Sequence, residues 1–269
     1  MQVTDMAKND NLTDFLKDIA DAIREKRGTS GPISAQNFST EIAAIEGGGT
    51  PTPTPPTPDM PVIGDGKTYL YIKIAAEGRM NVPLYFSQTV ANGVTIDWGD
   101  GSATQTLSGT GNKNTTHTYT EIGEYTISLN CSGSCKLGLG HNSSSYCVMG
   151  NTTNNGIVYC NMLQAVEIGR SVKSIDNYAF SKCYSLASIV IPQGVTSIGS
   201  NAFSNCNGMA FYDFSRCTSV PTLGGTGVFS SISSDCKIVV PDSLYDTWKA
   251  APNWSTHASK MVKASEFNS

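Results

Sequence analysis

Four patterns of apolar and polar positions follow one another along the chain. In residues 11–27, NLTDFLKDIADAIREKR, the side chains Leu12, Phe15, Leu16, Ile19 and Ile23 fall on one helical face, and Gly28 is placed to stop the helix. After the turn GTSGPI, Ser34 is placed to cap a second helix with a stripe of Phe38, Ile42 and Ile45 that ends before Gly47. Residues 47–62, GGGTPTPTPPTPDMPV, carry no stripe; the Thr-Pro alternation predicts an extended, semi-rigid linker. From about residue 63 to 136 the period changes to two, in the runs TYLYIKIA, NVPLYF, GVTIDW, THTYT and EYTISLN separated by Gly, Asn and Ser turns. That alternation predicts a β-sandwich. In residues 165–210 one pattern is written twice at a spacing of 23, pairing Ile168 with Ile191, Ile175 with Ile198, Phe180 with Phe203 and Cys183 with Cys206. Val166/Ile168 and Ile189/Ile191 alternate as half-buried strands do, and Val172/Ile175 and Val195/Ile198 mark a second inward segment. A degenerate third copy places Tyr212 and Phe214 in strand positions. Pro241, Asp242 and Ser243 then predict a strand stop and the N-cap of a short closing helix around Leu244, Trp248 and Trp254.

The expected architecture is therefore multidomain and mainly β: a helical hairpin (1–46), a Thr/Pro linker (47–62), a β-sandwich (63–136) and a repeat solenoid with a C-terminal cap (137–269). Fixed-period repeats in this size class bury their apolar face only by stacking. Two narrow stripes in about 46 residues are little for a free-standing core. The stripe residues of the hairpin are thus expected to anchor the chain on a partner or on a second copy, the alternative being a hairpin packed on itself.

Composition narrows the function classes. Of 269 residues 15% are charged, with formal net charge −4, so no basic field advertises nucleic acid. The polar start MQVTDMAKNDN lacks the basic and apolar parts of an export signal, and no apolar run reaches a membrane span. A cytosolically made chain without membrane insertion is expected. Among eight cysteines, Cys183 and Cys206 recur at the repeat period and read as buried thiols. Cys131 and Cys135, with Cys147 and Cys160 beyond, leave a zinc site conceivable but show neither a paired CxxC nor a nearby His pair. His117, His141 and His257 lie in different segments; no HExxH, GxSxG or phosphate loop is present. Asp97 and Asp100 read as turn formers in WGDG rather than as a carboxylate dyad. No catalytic, cofactor or metal residue is assigned and no enzyme is expected. Tyr178, Tyr184, Tyr212 and Tyr245 are candidates for displayed contact surface, the alternative being that they cover seams between repeats.

The repeat wording, SIGxxAFxxCxxLxxIxIPxxVTSIG, resembles the BspA-type leucine-rich repeats of bacterial surface proteins and bacteriophage appendages. Trp98-Gly99-Asp100-Gly101, His117-Thr118-Tyr119 and Gly123-Glu124-Tyr125 resemble the PKD domain, an immunoglobulin-like fold that serves as spacer or binding module. The segment DAIREKRGTSGPISAQNFSTEIAAI resembles the N-terminal segment of phage structural proteins. These resemblances imply a non-enzymatic bacteriophage virion protein, a tail-side fibre or appendage whose C-terminal modules meet glycan or protein on a host surface or in mucus. Its N-terminal helices would engage other virion proteins, and a homo-oligomer is expected. A capsid head fibre or decoration protein and a bacterial cell-surface adhesin are the alternatives.

Overall fold

The computed structural model describes residues 64–140, 146–151 and 159–267. These residues belong to one unit, Val62–Ser269. The expected anchoring residues and the Thr/Pro linker lie outside the described residues. The described chain is mainly β.

Six strands come first: β1 (Thr68–Ile74), β2 (Asn81–Gln88), β3 (Val94–Asp97), β4 (Gln105–Thr106), β5 (Gly111–Thr118) and β6 (Gly123–Cys131). Burial follows the period of two, so that Leu70, Ile72 and Ile74 of β1 and Val82, Leu84 and Phe86 of β2 point inward. In one sheet β6 pairs antiparallel with β1, from Thr68↔Leu129 to Ile74↔Gly123, and with β3. In the other, β2 pairs with β5 over eight residues, from Asn81↔Thr118 to Gln88↔Gly111.

The next strands are β7 (Leu137–Leu139), the small hairpin β8 (Tyr146–Cys147) and β9 (Gly150–Asn151), β10 (Leu163–Glu167) and β11 (Val172–Ile175). Each following repeat adds one strand to each sheet: β12 (Ser188–Val190) with β13 (Ser197–Ile198), then β14 (Phe211–Asp213) with β15 (Thr222–Leu223). The chain ends on β16 (Lys237–Val240), the helix α1 (Tyr245–Ala250), β17 (Met261–Lys263) and the turn α2 (Ala264–Phe267). Successive repeats pair in parallel, β10–β12–β14–β16–β17 on one side and β7–β11–β13–β15 on the other.

Both sheets continue into the N-terminal strands. β1 pairs antiparallel with β10 through Leu70↔Val166 and Tyr71↔Ala165, and β2 pairs with β7 through Phe86↔Leu139. A nine-stranded and a six-stranded sheet therefore run through the described residues across position 136/137. The core between them is correspondingly continuous. The strand β7 has three residues, too few to show a period in the sequence.

Between the sheets each repeat turns along a third line. The N–H groups of Tyr178, Phe180 and Lys182 donate to the carbonyls of Ser200, Ala202 and Ser204 at 3.0, 2.8 and 2.9 Å, and Phe203 and Asn205 donate onward to Val228 and Ser230. Inside this line stand Phe180, Phe203 and Phe229, one per repeat, stacked at centroid distances of 5.4 and 5.7 Å. The closing end differs from expectation. Asp242–Leu244 is a 3-10 turn, neither it nor α1 has a side-chain N-cap, and the Asp242 carboxylate instead holds Ser265, whose N–H donates to Oδ1 at 3.1 Å. α1 stops at Ala250, and Trp254 comes after the helix; Trp248 and Trp254 pack edge to face at 5.3 Å over Phe214.

Candidate functional site

Along the third line, the first repeat differs from the second in a way that matters for its surface. Asn201 and Asn205 hold left-handed backbone, φ 56° and 59°, a conformation Asn tolerates. At the aligned positions 23 residues earlier stand Tyr178 and Lys182, with φ 58° and 62°. Both are half-buried at the surface, and Tyr184 beside them is 40% exposed. Beneath them the line is fixed: Ser181 and Ser204, 2% and 4% exposed, bond to each other at 2.9 Å, and Ser204 donates to the Asn201 carbonyl. Of the four candidate tyrosines, Tyr184 is therefore displayed and Tyr178 half so. Tyr212 is fully buried against Phe203 and Phe229, a correction, because its strand position aligns with the inward Ile189. Tyr245 lies under the Lys249 and Lys263 ammonium groups, 5.1 and 5.4 Å from its ring centre. Lys182, Asn201 and Asn205 are absent from the sequence candidates; the alignment of Tyr178 with Asn201 and of Lys182 with Asn205 is the signal that finds them.

The WGDG corner is built from local hydrogen bonds. Asp97 Oδ1 accepts the Gly99 N–H at 2.9 Å and Asp100 Oδ1 accepts the Ser102 N–H at 3.0 Å, the Asx pattern that closes tight turns. Hydrogen bonding by Ser102, then by His117, holds the Asp100 carboxyl down to about 2 against the opposing effect of desolvation. Since an ionised carboxylate only accepts, the His117 Nε2–H donates to Asp100 Oδ2, at 2.6 Å. The His117 ring stacks on Trp98 at 4.8 Å, and the Tyr119 hydroxyl donates to the Trp98 carbonyl at 2.7 Å. Asp97 and Asp100 thus act on backbone and on an imidazole that is itself packed, which locks the corner.

The sulfurs separate. Cys147 and Cys160 are joined in a disulfide, while Cys131, Cys135, Cys183, Cys206, Cys217 and Cys236 are free. Burial pushes the Cys206 and Cys236 thiols up to about 12 and raises that of Cys183 well above its ordinary value, which keeps them as thiols rather than reactive thiolates. Among the described residues no three His, Cys, Asp or Glu side chains gather as a metal would require. His257, distant in sequence from His117, packs edge-on to Phe229, and burial lowers its pKa; His141 lies outside the described residues. At the closing end a groove of about 580 Å³ is walled by Val220, Pro221, Leu223, Pro252 and Trp254. Two of its polar groups are already used: Trp254 Nε1 donates to the Pro221 carbonyl and Asn253 Nδ2 to the Leu223 carbonyl.

Residues 151–251 match the family model of the BspA type leucine-rich repeat region (6 copies). The match takes in β10 to β16 and α1, so the parallel strands and the phenylalanine column belong to a segment similar to BspA-type repeats. β7 stacks on these repeats from outside the matched residues. No curated protein and no solved structure matches the chain. Among the described residues no helix is long and apolar enough to cross a membrane.

Proposed function

We propose that this chain is a non-enzymatic structural protein of a bacteriophage virion, a tail-side fibre or appendage that displays its C-terminal half for attachment to host-surface or mucus glycan or protein. In this reading residues 63–136 are a PKD-like immunoglobulin-type sandwich and residues 137–269 a capped solenoid of BspA-type repeats. Other virion proteins engage the N-terminal segment, and display in several copies raises weak contacts to useful avidity. The observation that carries the reading is the passage of both sheets from antiparallel strands into parallel repeats. A binding surface built on such a block is backed by two continuous sheets, the arrangement a projecting adhesive needs. The locked WGDG corner and the buried thiols support structure over chemistry.

Immunogold electron microscopy of intact particles, with an antibody against residues 165–250, tests the location. Label at the tail supports host attachment; label over the head replaces it with capsid decoration; particles free of label refute a virion role. The Cys147–Cys160 bond favours a second reading, a bacterial cell-surface adhesin, since disulfides persist outside the reducing cytosol. Label on intact cells rather than particles would establish it.

A further inference from the structure

We infer that the ridge formed by Tyr178, Lys182, Tyr184, Asn201 and Asn205 is a binding site for the acidic sugar residue of a glycan, an inference that rests on the adhesive reading above and names its surface and ligand class. The starting observation is backbone cost. The turn takes left-handed φ at two positions in each of the first two repeats, and the second repeat meets this with Asn at both. The first repeat places Tyr178 and Lys182 there, at φ 58° and 62°, although an ordinary side chain in that region costs on the order of 1 kcal/mol more than Asn or Gly. Both side chains are half-buried, so each keeps part of its surface available to a ligand. Backbone strain kept where a cheaper residue stands one repeat away points to a use for the side chain.

The chemistry on the ridge defines the ligand. Backbone bonds from Tyr178 to Ser200 and from Lys182 to Ser204 place each first-repeat side chain beside its Asn counterpart, one strand spacing away, roughly 4.8 Å. The Tyr184 N–H donates to the Lys182 carbonyl at 2.9 Å, so the exposed Tyr184 follows Lys182 on the same turn. Among the described residues Lys182 has no salt bridge. Two phenol rings offer faces for the C–H side of a pyranose, two amides offer paired donors and acceptors for vicinal hydroxyls, and one free ammonium calls for a carboxylate or sulfate. A protein partner would need about 800 Å² of this chain, and a ridge one turn wide across two repeats is too narrow for that. A sugar residue is about as wide as the spacing between repeats.

The test uses the full chain, displayed in several copies on beads, against immobilised glycans bearing sialic acid, hexuronic acid or sulfate and against their neutral counterparts. The first variant, Tyr178→Asn/Lys182→Asn, gives the first repeat the backbone chemistry of the second. It is expected to melt at the same temperature or up to roughly 8 °C higher, while losing binding to acidic glycans by about tenfold or more. The second, Tyr184→Ser, removes an exposed ring at ordinary φ and is expected to lose about tenfold at unchanged melting temperature. Wild-type binding that survives in both variants overturns the site and leaves the adhesive reading standing. Equal binding of neutral and acidic forms overturns the acidic class, and a lower melting temperature in the first variant overturns the strain argument. Wild-type silence on every glycan overturns the site together with the glycan-binding reading.

Discussion

Replacing Phe203 by alanine tests whether the described residues fold as one block. The ring is fully buried, parallel to Phe180 and Phe229 within 6° and 3°, and meets Tyr212 edge-on at 5.0 Å. Removing a buried phenylalanine costs about 3–5 kcal/mol, and each lost aromatic pair adds about 0.5–1.5 kcal/mol that is not fully additive. About 5 kcal/mol is a large fraction of the roughly 5–15 kcal/mol by which a domain is stable. In a domain of roughly 200 residues it lowers the melting temperature by about 10–20 °C. The informative assay is native-state hydrogen exchange read residue by residue. If β1 and β6 unfold together with β12 and β14, the most protected amides at Leu70 and Ile127 lose the same free energy as those at Ile189 and Tyr212, although Phe203 belongs to the repeats. Unchanged protection in β1 and β6, with protection lost only in the repeats, would refute the single-block reasoning and leave two modules joined by strand pairing alone.

The buried Ser181–Ser204 pair gives a double-mutant cycle: Ser204→Ala strands the Ser181 hydroxyl and should cost about 1–3 kcal/mol in urea unfolding, while the double alanine variant costs less than the sum of the singles. Two glycines should respond for opposite reasons. A Cβ at Gly208 would run into the Tyr184 carbonyl oxygen, so Gly208→Ala must push neighbouring repeats away from each other and abolish a measurable native transition or lower it steeply. Gly101 has open space but φ +81°, so Gly101→Ala should cost only about 1 kcal/mol in the same melt. Stability should also fall with acid in two windows. His257 has a lowered folded pKa, so the unfolded chain takes up the proton first and stability drops as pH falls below about 6.5, a loss absent in His257→Phe. Asp100 is likewise depressed, to about 2, so its contribution is present above the ordinary carboxylate value and is lost as pH falls from there toward 2; Asp100→Asn should remove that dependence from an acid titration followed by circular dichroism.

Legibility in the sequence tracked how local each determinant is. The turns of the WGDG corner rest on hydrogen bonds between residues two apart and read off the chain directly, whereas the His117–Asp100 and Tyr119–Trp98 bonds that lock it span 17 and 21 positions. The first two repeats share a spacing of 23, which aligns Phe180 with Phe203 and the buried Cys183 with Cys206. The third phenylalanine of the column, Phe229, follows at 26, so a fixed period loses it although the stacking continues. Tyr212 was legible as buried, since it occupies the register of Ile189, but its hydroxyl invites a surface reading. The pairings of β1 with β10 and of β2 with β7 join residues on the order of 50–100 positions apart, and nothing local in LGL or TYLYIKI announces the partner. The surface ridge is the intermediate case, for the alignment contains it and only the backbone angles give it meaning.

The two ends of the repeat stack meet the same physical problem differently. A stack of parallel strands leaves unpaired N–H and C=O groups and an apolar cross-section at each end, an invitation to aggregate. At the first repeat, β1 and β2 answer both needs at once: their backbones pair with β10 and β7, and their inward side chains extend the core. At the last repeat a short parallel strand, β17, covers β16, and aromatic mass does the rest, with Trp248 and Trp254 over Phe214 and Phe267 at 5.0 Å from Phe211. The turn line is met at its ends as well: the Val148 N–H donates to the Ala179 carbonyl at 2.7 Å, and His257 packs edge-on to Phe229. Along that line residues depart from the repeat pattern, as Tyr178 and Lys182 do.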